Sequence, residues 1–173
     1  LVGGFEKVFE IGRVFRNEGI DRTHSPEFTM LECYEAYVDY EEIMNLTESM
    51  VGQVADRACG SFLVDTDAWR LDFTPPWNRV SFRDAVRDET GLDIDDYPDT
   101  NRLSEAAKGL GLAPEPELGR GKLLDLLLEK FVTPKIEQPT FIVDYPVETS
   151  PLAKRRADDE RYAARFEAVA AGV

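Results

Sequence analysis

The chain has 173 residues, 43% of them hydrophobic and 10% aromatic, which is material for one globular domain and too little length for two ordinary ones. Its 20 Lys and Arg against 34 Asp and Glu give a net charge of -14, which argues against a general nucleic-acid clamp and leaves room for a localised basic site on an acidic body. No apolar run approaches the roughly 20 residues that span a bilayer and no secretory pattern is present, so the expectation is a soluble, cytoplasmic protein without a membrane partner.

From Lys7 to Arg16 the residues alternate. Phe9, Ile11 and Phe15 share one face, and Glu10, Gly12, Val14 and Arg16 share the other. The polar stretch Asn17 to Glu27, with Gly19, Asp21 and Pro26, reads as a loop. A second strand is expected from Phe28 to about Tyr37. In it Phe28, Met30, Glu32 and Tyr34 lie on one face and Leu31 and Cys33 on the other. The two strands read as an antiparallel pair joined by an unusually long loop, and long ordered loops are more often functional than not. Cys33, inside an apolar alternation, is expected to be small and buried. With Cys59 it makes no disulfide framework, and the single histidine, His24, leaves no zinc spacing.

Ile43, Leu46, Met50 and Val54 recur at helical spacing between Tyr40 and Cys59, with Gly60 as a stop. Phe62 to Phe73 returns to strand character and ends at the Thr74-Pro75-Pro76-Trp77 turn. Residues 81–136 read as helical. Ser81 is a cap, a short helix lies near Leu103 to Leu110, and another runs from about Lys122 to Phe131. Thr140 to Asp144 is a compact apolar strand, Arg155 to Asp159 a charged loop, and Glu160 onward a helix or strand. There is no internal repeat. The order of strand pair, helix, strand, helices and strand predicts an α+β domain on an antiparallel sheet. The chain opens without Met at Leu1-Val2-Gly3-Gly4-Phe5 and closes at Ala171-Gly172-Val173, and it is expected to be a fragment of a longer polypeptide.

Chemistry concentrates on the first strand pair. Arg16 faces away from Phe9, Ile11 and Phe15, and its planar fork suits a phosphate or a carboxylate. The Phe28, Met30, Glu32, Tyr34 face adds an aromatic platform, a carboxylate and a phenol. Gly12, on the Arg16 face, lets a ligand approach the backbone. From spacing alone, Arg16 and Glu32 fit either an ordinary cross-strand ion pair or the anion and cation partners of a zwitterionic substrate beside a nucleotide.

The segment Phe15-Arg16-Asn17-Glu18, followed by His24-Ser25-Pro26-Glu27-Phe28-Thr29-Met30-Leu31-Glu32, resembles motif 2 of the class II aminoacyl-tRNA synthetases. The longer run from Val8 to Ile20 is similar to their lysine-specific branch. So are Leu71-Asp72-Phe73-Thr74-Pro75-Pro76-Trp77 and the run from Asp144-Tyr145-Pro146 to Pro151-Leu152-Ala153-Lys154-Arg155. These matches span essentially the whole chain. The class motif by itself is moderately specific; joined to the Pro-Leu-Ala-Lys segment it is strongly so.

The resemblance implies the antiparallel sheet of the class II catalytic core, flanked by helices and carrying a helical insertion. It divides the chain into 1–80 (motif 2 strand pair, helix and sheet), 81–136 (insertion, with no chemistry assigned) and 137–173 (return to the sheet). Motif 1, motif 3 and the anticodon-binding domain would lie outside. The implied activity is the ATP-dependent activation of lysine to lysyl-adenylate and its transfer to tRNA(Lys) by a homodimeric, full-length ligase in protein synthesis, the isolated segment being inactive. ATP is a substrate and Mg2+ the cofactor.

Residue by residue, the resemblance implies that Arg16 holds the ATP α-phosphate and the lysine carboxylate. Glu18 would bond near the adenine amino group and His24 would lie near the outer phosphates. Phe28 would stack on adenine with Met30 packed beside it, Glu32 and Tyr34 would line the lysine pocket, and Glu167 would help coordinate magnesium. His24 also fits a local loop hydrogen bond, and Met30 also fits a core position. Two positions depart from the branch: Ser25 replaces the common Asn, and Thr149 the usual Ile. The rival functions are a stand-alone paralogue that lysylates an elongation factor, a non-catalytic binding paralogue, and an aspartate or asparagine enzyme. Against these stand the Asp144 to Lys154 segment, the presence of both Arg16 and Glu32, and a pocket suited to a cation.

Overall fold

The first alternation forms strand β1 (Lys7–Phe15) and the second forms β2 (Glu27–Glu35). They pair antiparallel, from Lys7 opposite Glu35 to Phe15 opposite Glu27. The Arg16 N–H donates to the Pro26 carbonyl at 2.9 Å, which carries the ladder one step into the loop. The computed structural model describes residues 1–17, 19–21, 24–115 and 117–173, and these form two units, 1–39 and 40–173.

The first unit is this hairpin. Because paired residues share a face, one side carries Val8, Glu10, Gly12 and Val14 with Tyr34, Glu32, Met30 and Phe28. The opposite side carries Phe9, Ile11 and Phe15 with Cys33, Leu31 and Glu27, and two ion pairs, Lys7–Glu35 and Arg13–Glu27, each at 2.6 Å, run along it. Phe9, Ile11 and Phe15 are 75%, 63% and 71% exposed, and Cys33 is exposed, which corrects the expectation that it is buried. The physical reason is that a two-stranded ribbon has no layer of its own to cover either face.

The second unit begins with α1 (Tyr40–Cys59). The helix is where its spacing put it, but its buried stripe is Met44, Glu48, Gly52 and Ala55, while Leu46, Met50 and Val54 are exposed. Two specific contacts rotate it. Glu48 accepts the Trp77 N–H at 2.9 Å and lies 3.6 Å from the Arg79 guanidinium. Gly52 meets the Phe62 ring so closely that a Cβ there would fall 2.8 Å from it. Gly60, at φ 77°, ends the helix by donating its N–H to Asp56 O at 2.8 Å.

The single strand expected over 62–73 is two, β3 (Leu63–Asp65) and β4 (Arg70–Asp72), paired antiparallel. Between them the Thr66 hydroxyl accepts the Trp69 N–H at 2.9 Å, a local side-chain bond that closes the turn. A second correction concerns the main sheet, whose order is β5 (Asn78–Ser81), β6 (Thr140–Pro146), β7 (Tyr162–Val169). β5 and β6 run parallel; only β6 and β7 are antiparallel. Parallel neighbours require a long crossover, and residues 82–139 supply it.

That crossover contains α2 (Phe82–Thr90), a short 3-10 turn Ile94–Asp96, α3 (Thr100–Gly109) and α4 (Arg120–Leu127), which runs on as a π turn, Leu128–Val132. Ser81 caps α2 by accepting the Asp84 N–H at 3.0 Å. Leu103 of α3 and Leu123, Leu124 and Leu127 of α4, together with Phe82, Val86 and Ile94, pack with Ile142 and Tyr145 into the largest apolar cluster. The helical stretch therefore buries one face of the sheet. Among the described residues no helix is long and apolar enough to cross a membrane.

Candidate functional site

On the hairpin, the parity of the strands and their register place five of the eight candidate residues on one surface. The Arg16 guanidinium carbon lies 5.3 Å from the centroid of the Phe28 ring. Phe28 is opposite Val14, Met30 opposite Gly12, Glu32 opposite Glu10 and Tyr34 opposite Val8. Along this face the order is therefore cation, aromatic ring, an open step at Gly12, carboxylate, phenol. Phe28 and Met30 are half-buried, whereas Glu32 and Tyr34 are exposed.

Register bears on the cross-strand ion-pair reading of Arg16 and Glu32. Arg16 is level with Pro26, six residues from Glu32, which at about 3.3 Å per residue is roughly 20 Å of strand. A direct cross-strand ion pair does not fit that separation. The two charges instead bracket the centre of the face.

Glu10 stands opposite Glu32, and one of its carboxylate oxygens lies 3.5 Å from where a Cβ on Gly12 would be. Two carboxylates opposed on one face repel each other, and a cation between them removes the repulsion. Glu10 was assigned no role by motif. Its face was legible from alternation, but its partner was not, because register depends on how the long loop closes.

His24 lies in that loop. Its Nδ1 is 2.9 Å from each carboxylate oxygen of Asp21, and its backbone N–H donates to Asp21 Oδ1 at 2.8 Å. Asp21 N–H in turn donates to His24 O at 3.2 Å, so the local hydrogen bond that the sequence allowed is present. Glu18 lies outside the described residues.

Glu167 belongs to the second unit, on β7, opposite Ile142. Its Oε2 accepts the Tyr145 hydroxyl at 2.8 Å, and its Oε1 pairs with the Arg165 guanidinium. Arg165 also sits 4.3 Å from the Tyr145 ring centroid and donates to Ser150 Oγ at 2.5 Å. Burial first, and the Glu167 charge second, push the Tyr145 hydroxyl well above the ordinary tyrosine range, so it stays a donor. Neither Tyr145 nor Arg165 carries a role by motif, because their contacts with Glu167 depend on how β6 and β7 come level.

No group of three or more His, Cys, Asp or Glu able to hold a metal is present among the described residues. A magnesium ion is commonly held by one or two carboxylates with substrate phosphates. A carboxylate offers about four lone-pair sites, of which Tyr145 and Arg165 occupy two. Glu167, half of whose side chain is exposed, thus fits as a single protein ligand.

Near it, the end of β6 and the segment that follows are tightly tied. Thr149, the departure from Ile, donates its hydroxyl to Pro146 O at 2.9 Å. Asp144, at a bulge with φ 58°, accepts the Tyr40 hydroxyl at 3.1 Å and pairs with Arg156.

The family model for tRNA synthetases class II (D, K and N) matches residues 1–173. Among similar proteins are a "Lysine--tRNA ligase" of Moorella thermoacetica, 50% identical over 99% of this chain, and one of Chloroflexus aurantiacus, 47% identical over 100% of it. A third, from Dehalococcoides mccartyi, is 46% identical over 100% of this chain. The chain spans 35% of the length of each of these relatives.

Proposed function

The chain belongs to the class II tRNA synthetases of the D, K and N group, and on that premise we propose that it supplies the motif 2 surface of a lysine–tRNA ligase. The observation that carries the choice of lysine is the face itself. An arginine stands at one end, an aromatic ring beside it, and the opposed carboxylates Glu10 and Glu32 with Tyr34 at the other. A cationic amino acid is what such a face stabilises, whereas an acidic substrate would add a third carboxylate to the pair.

In the first half-reaction a lysine carboxylate oxygen attacks the α-phosphorus of ATP. The new P–O bond forms lysyl-adenylate as the bond to pyrophosphate breaks. Arg16 bonds both the carboxylate and the α-phosphate, drawing two anions together and offsetting the charge that builds on phosphorus. Phe28 stacks on adenine, with Met30 against it. Glu32 accepts hydrogen bonds from a substrate ammonium, and the Tyr34 phenol oxygen accepts one from an ammonium as well. The second half-reaction moves the lysyl group to a ribose hydroxyl of tRNA(Lys), with AMP leaving.

Glu18 and His24 are assigned to adenine and to the outer phosphates by motif position. The His24–Asp21 pair supports a loop poised by local bonds. Glu167 would contribute one carboxylate to Mg2+, which offsets phosphate charge when bound. The same reading makes residues 1–80 and 137–173 parts of the class II catalytic sheet and 81–136 its insertion. It assigns the parent protein to the cytoplasm as a homodimer.

The test is amino-acid-dependent ATP–pyrophosphate exchange with the full-length protein. Lysine should support exchange while aspartate and asparagine, the other substrates of this family, should not. Exchange with either of those in place of lysine would overturn the assignment.

A further inference from the structure

We propose that Tyr145, acting with Arg165, is a positioning residue that fixes the Glu167 carboxylate in the orientation used for metal–nucleotide binding; this rests on the proposed role of Glu167. Tyr145 is 2% exposed, and its ring packs edge-on against Phe82 at 5.2 Å between centroids, so the phenol cannot swing. Its hydroxyl reaches out of the core to Glu167 Oε2 at 2.8 Å. On the ring itself lies the Arg165 guanidinium, whose two nitrogens join Ser150 Oγ to Glu167 Oε1. Ser150 is buried, so the far end of this bridge is anchored as well.

A glutamate on a strand surface ordinarily samples several rotamers, and binding a cation must then meet the cost of ordering it. Here that ordering is built in, because each oxygen already has a fixed partner and the remaining lone pairs point to a fixed place. Tyr145 is thus to Glu167 what a hydrogen-bonding partner behind a metal ligand commonly is, and loss of such partners weakens metal binding by roughly 10- to 100-fold.

The experiment uses the full-length protein with a non-hydrolysable ATP analogue and Mn2+, following free Mn2+ by electron paramagnetic resonance. Wild type, Tyr145→Phe and Glu167→Gln are compared, and thermal unfolding is followed to show that each variant is folded. Tyr145→Phe keeps the ring and its packing, and should weaken Mn2+ binding by about 10- to 100-fold with the KM for lysine unchanged. Wild-type Mn2+ affinity in Tyr145→Phe, with weakened affinity in Glu167→Gln, would overturn the positioning role alone. Wild-type affinity in both would overturn it together with the metal role of Glu167.

Discussion

Phe28 and Arg16 stand together on the hairpin, the cation lying 5.3 Å from the ring centroid. On the proposed assignment an adenine stacks on this ring and its phosphate meets the guanidinium beside it. Stacking of a base on an aromatic side chain contributes about 1–3 kcal/mol, so Phe28→Leu should raise the KM for ATP roughly 5- to 150-fold. The KM for lysine should change little. Steady-state exchange with each substrate varied in turn checks this, and a rise confined to the lysine KM would contradict the assignment. The common face of Phe28, Met30, Glu32 and Tyr34 was legible in the sequence because strand parity is a two-residue rule and needs no tertiary information. Glu10 against Glu32, and Tyr145 on Glu167, were not legible: each depends on which residues of distant segments come level.

At the level of elements, α1, α2, α3 and α4 follow from periodicity and caps. Their faces follow less well. The Leu46, Met50, Val54 stripe is exposed, because the buried face of α1 is chosen by a carboxylate bonded to the Trp77 N–H and by a glycine pressed on Phe62. Neither choice is visible in a hydrophobic count. The parallel β5–β6 pairing was likewise hidden, since it becomes evident only when residues 82–139 are seen as a crossover. Gly121 tests that packing. A Cβ there would stand 2.6 Å from the Glu148 carbonyl oxygen, which is backbone and cannot move aside cheaply. Gly121→Ala should push α4 from the 146–149 turn and destabilise the protein by about 1–3 kcal/mol, read as a lower urea midpoint. A midpoint equal to wild type would show that the turn yields freely.

Across the whole molecule, carboxyls paired with arginines set the response to acid. The hydrogen bond from Arg83 holds the Asp93 carboxyl below its ordinary range, and the Arg156 guanidinium holds that of Asp158 at about 2. Carboxyls depressed on folding add stability above their unfolded value, and this is lost as pH falls through the folded one. The urea midpoint should therefore decline from about pH 4 toward pH 2, the window set by an unfolded value near 3.9. A midpoint flat across that window would contradict the structural role of these pairs. The folded body was legible as α+β from element order, whereas the charge pairs that link Arg83, Asp93 and Asp95 across its loops were not.

The central claim is that one face of the hairpin, and not the other, activates lysine. Lysine-dependent ATP–pyrophosphate exchange in the full-length protein tests it with three charge-removing variants. Arg16→Ala should lower kcat/KM by about 100- to 1000-fold, as losing a group that stabilises developing charge does. Glu32→Gln should lower it by roughly 10-fold or more, as losing a hydrogen bond to a charged group does. Arg13→Gln removes a charge on the opposite face, where the Arg13–Glu27 pair is exposed, and should leave exchange near wild type. Equal losses from Arg13→Gln and Arg16→Ala, or full exchange without Arg16, would contradict the account.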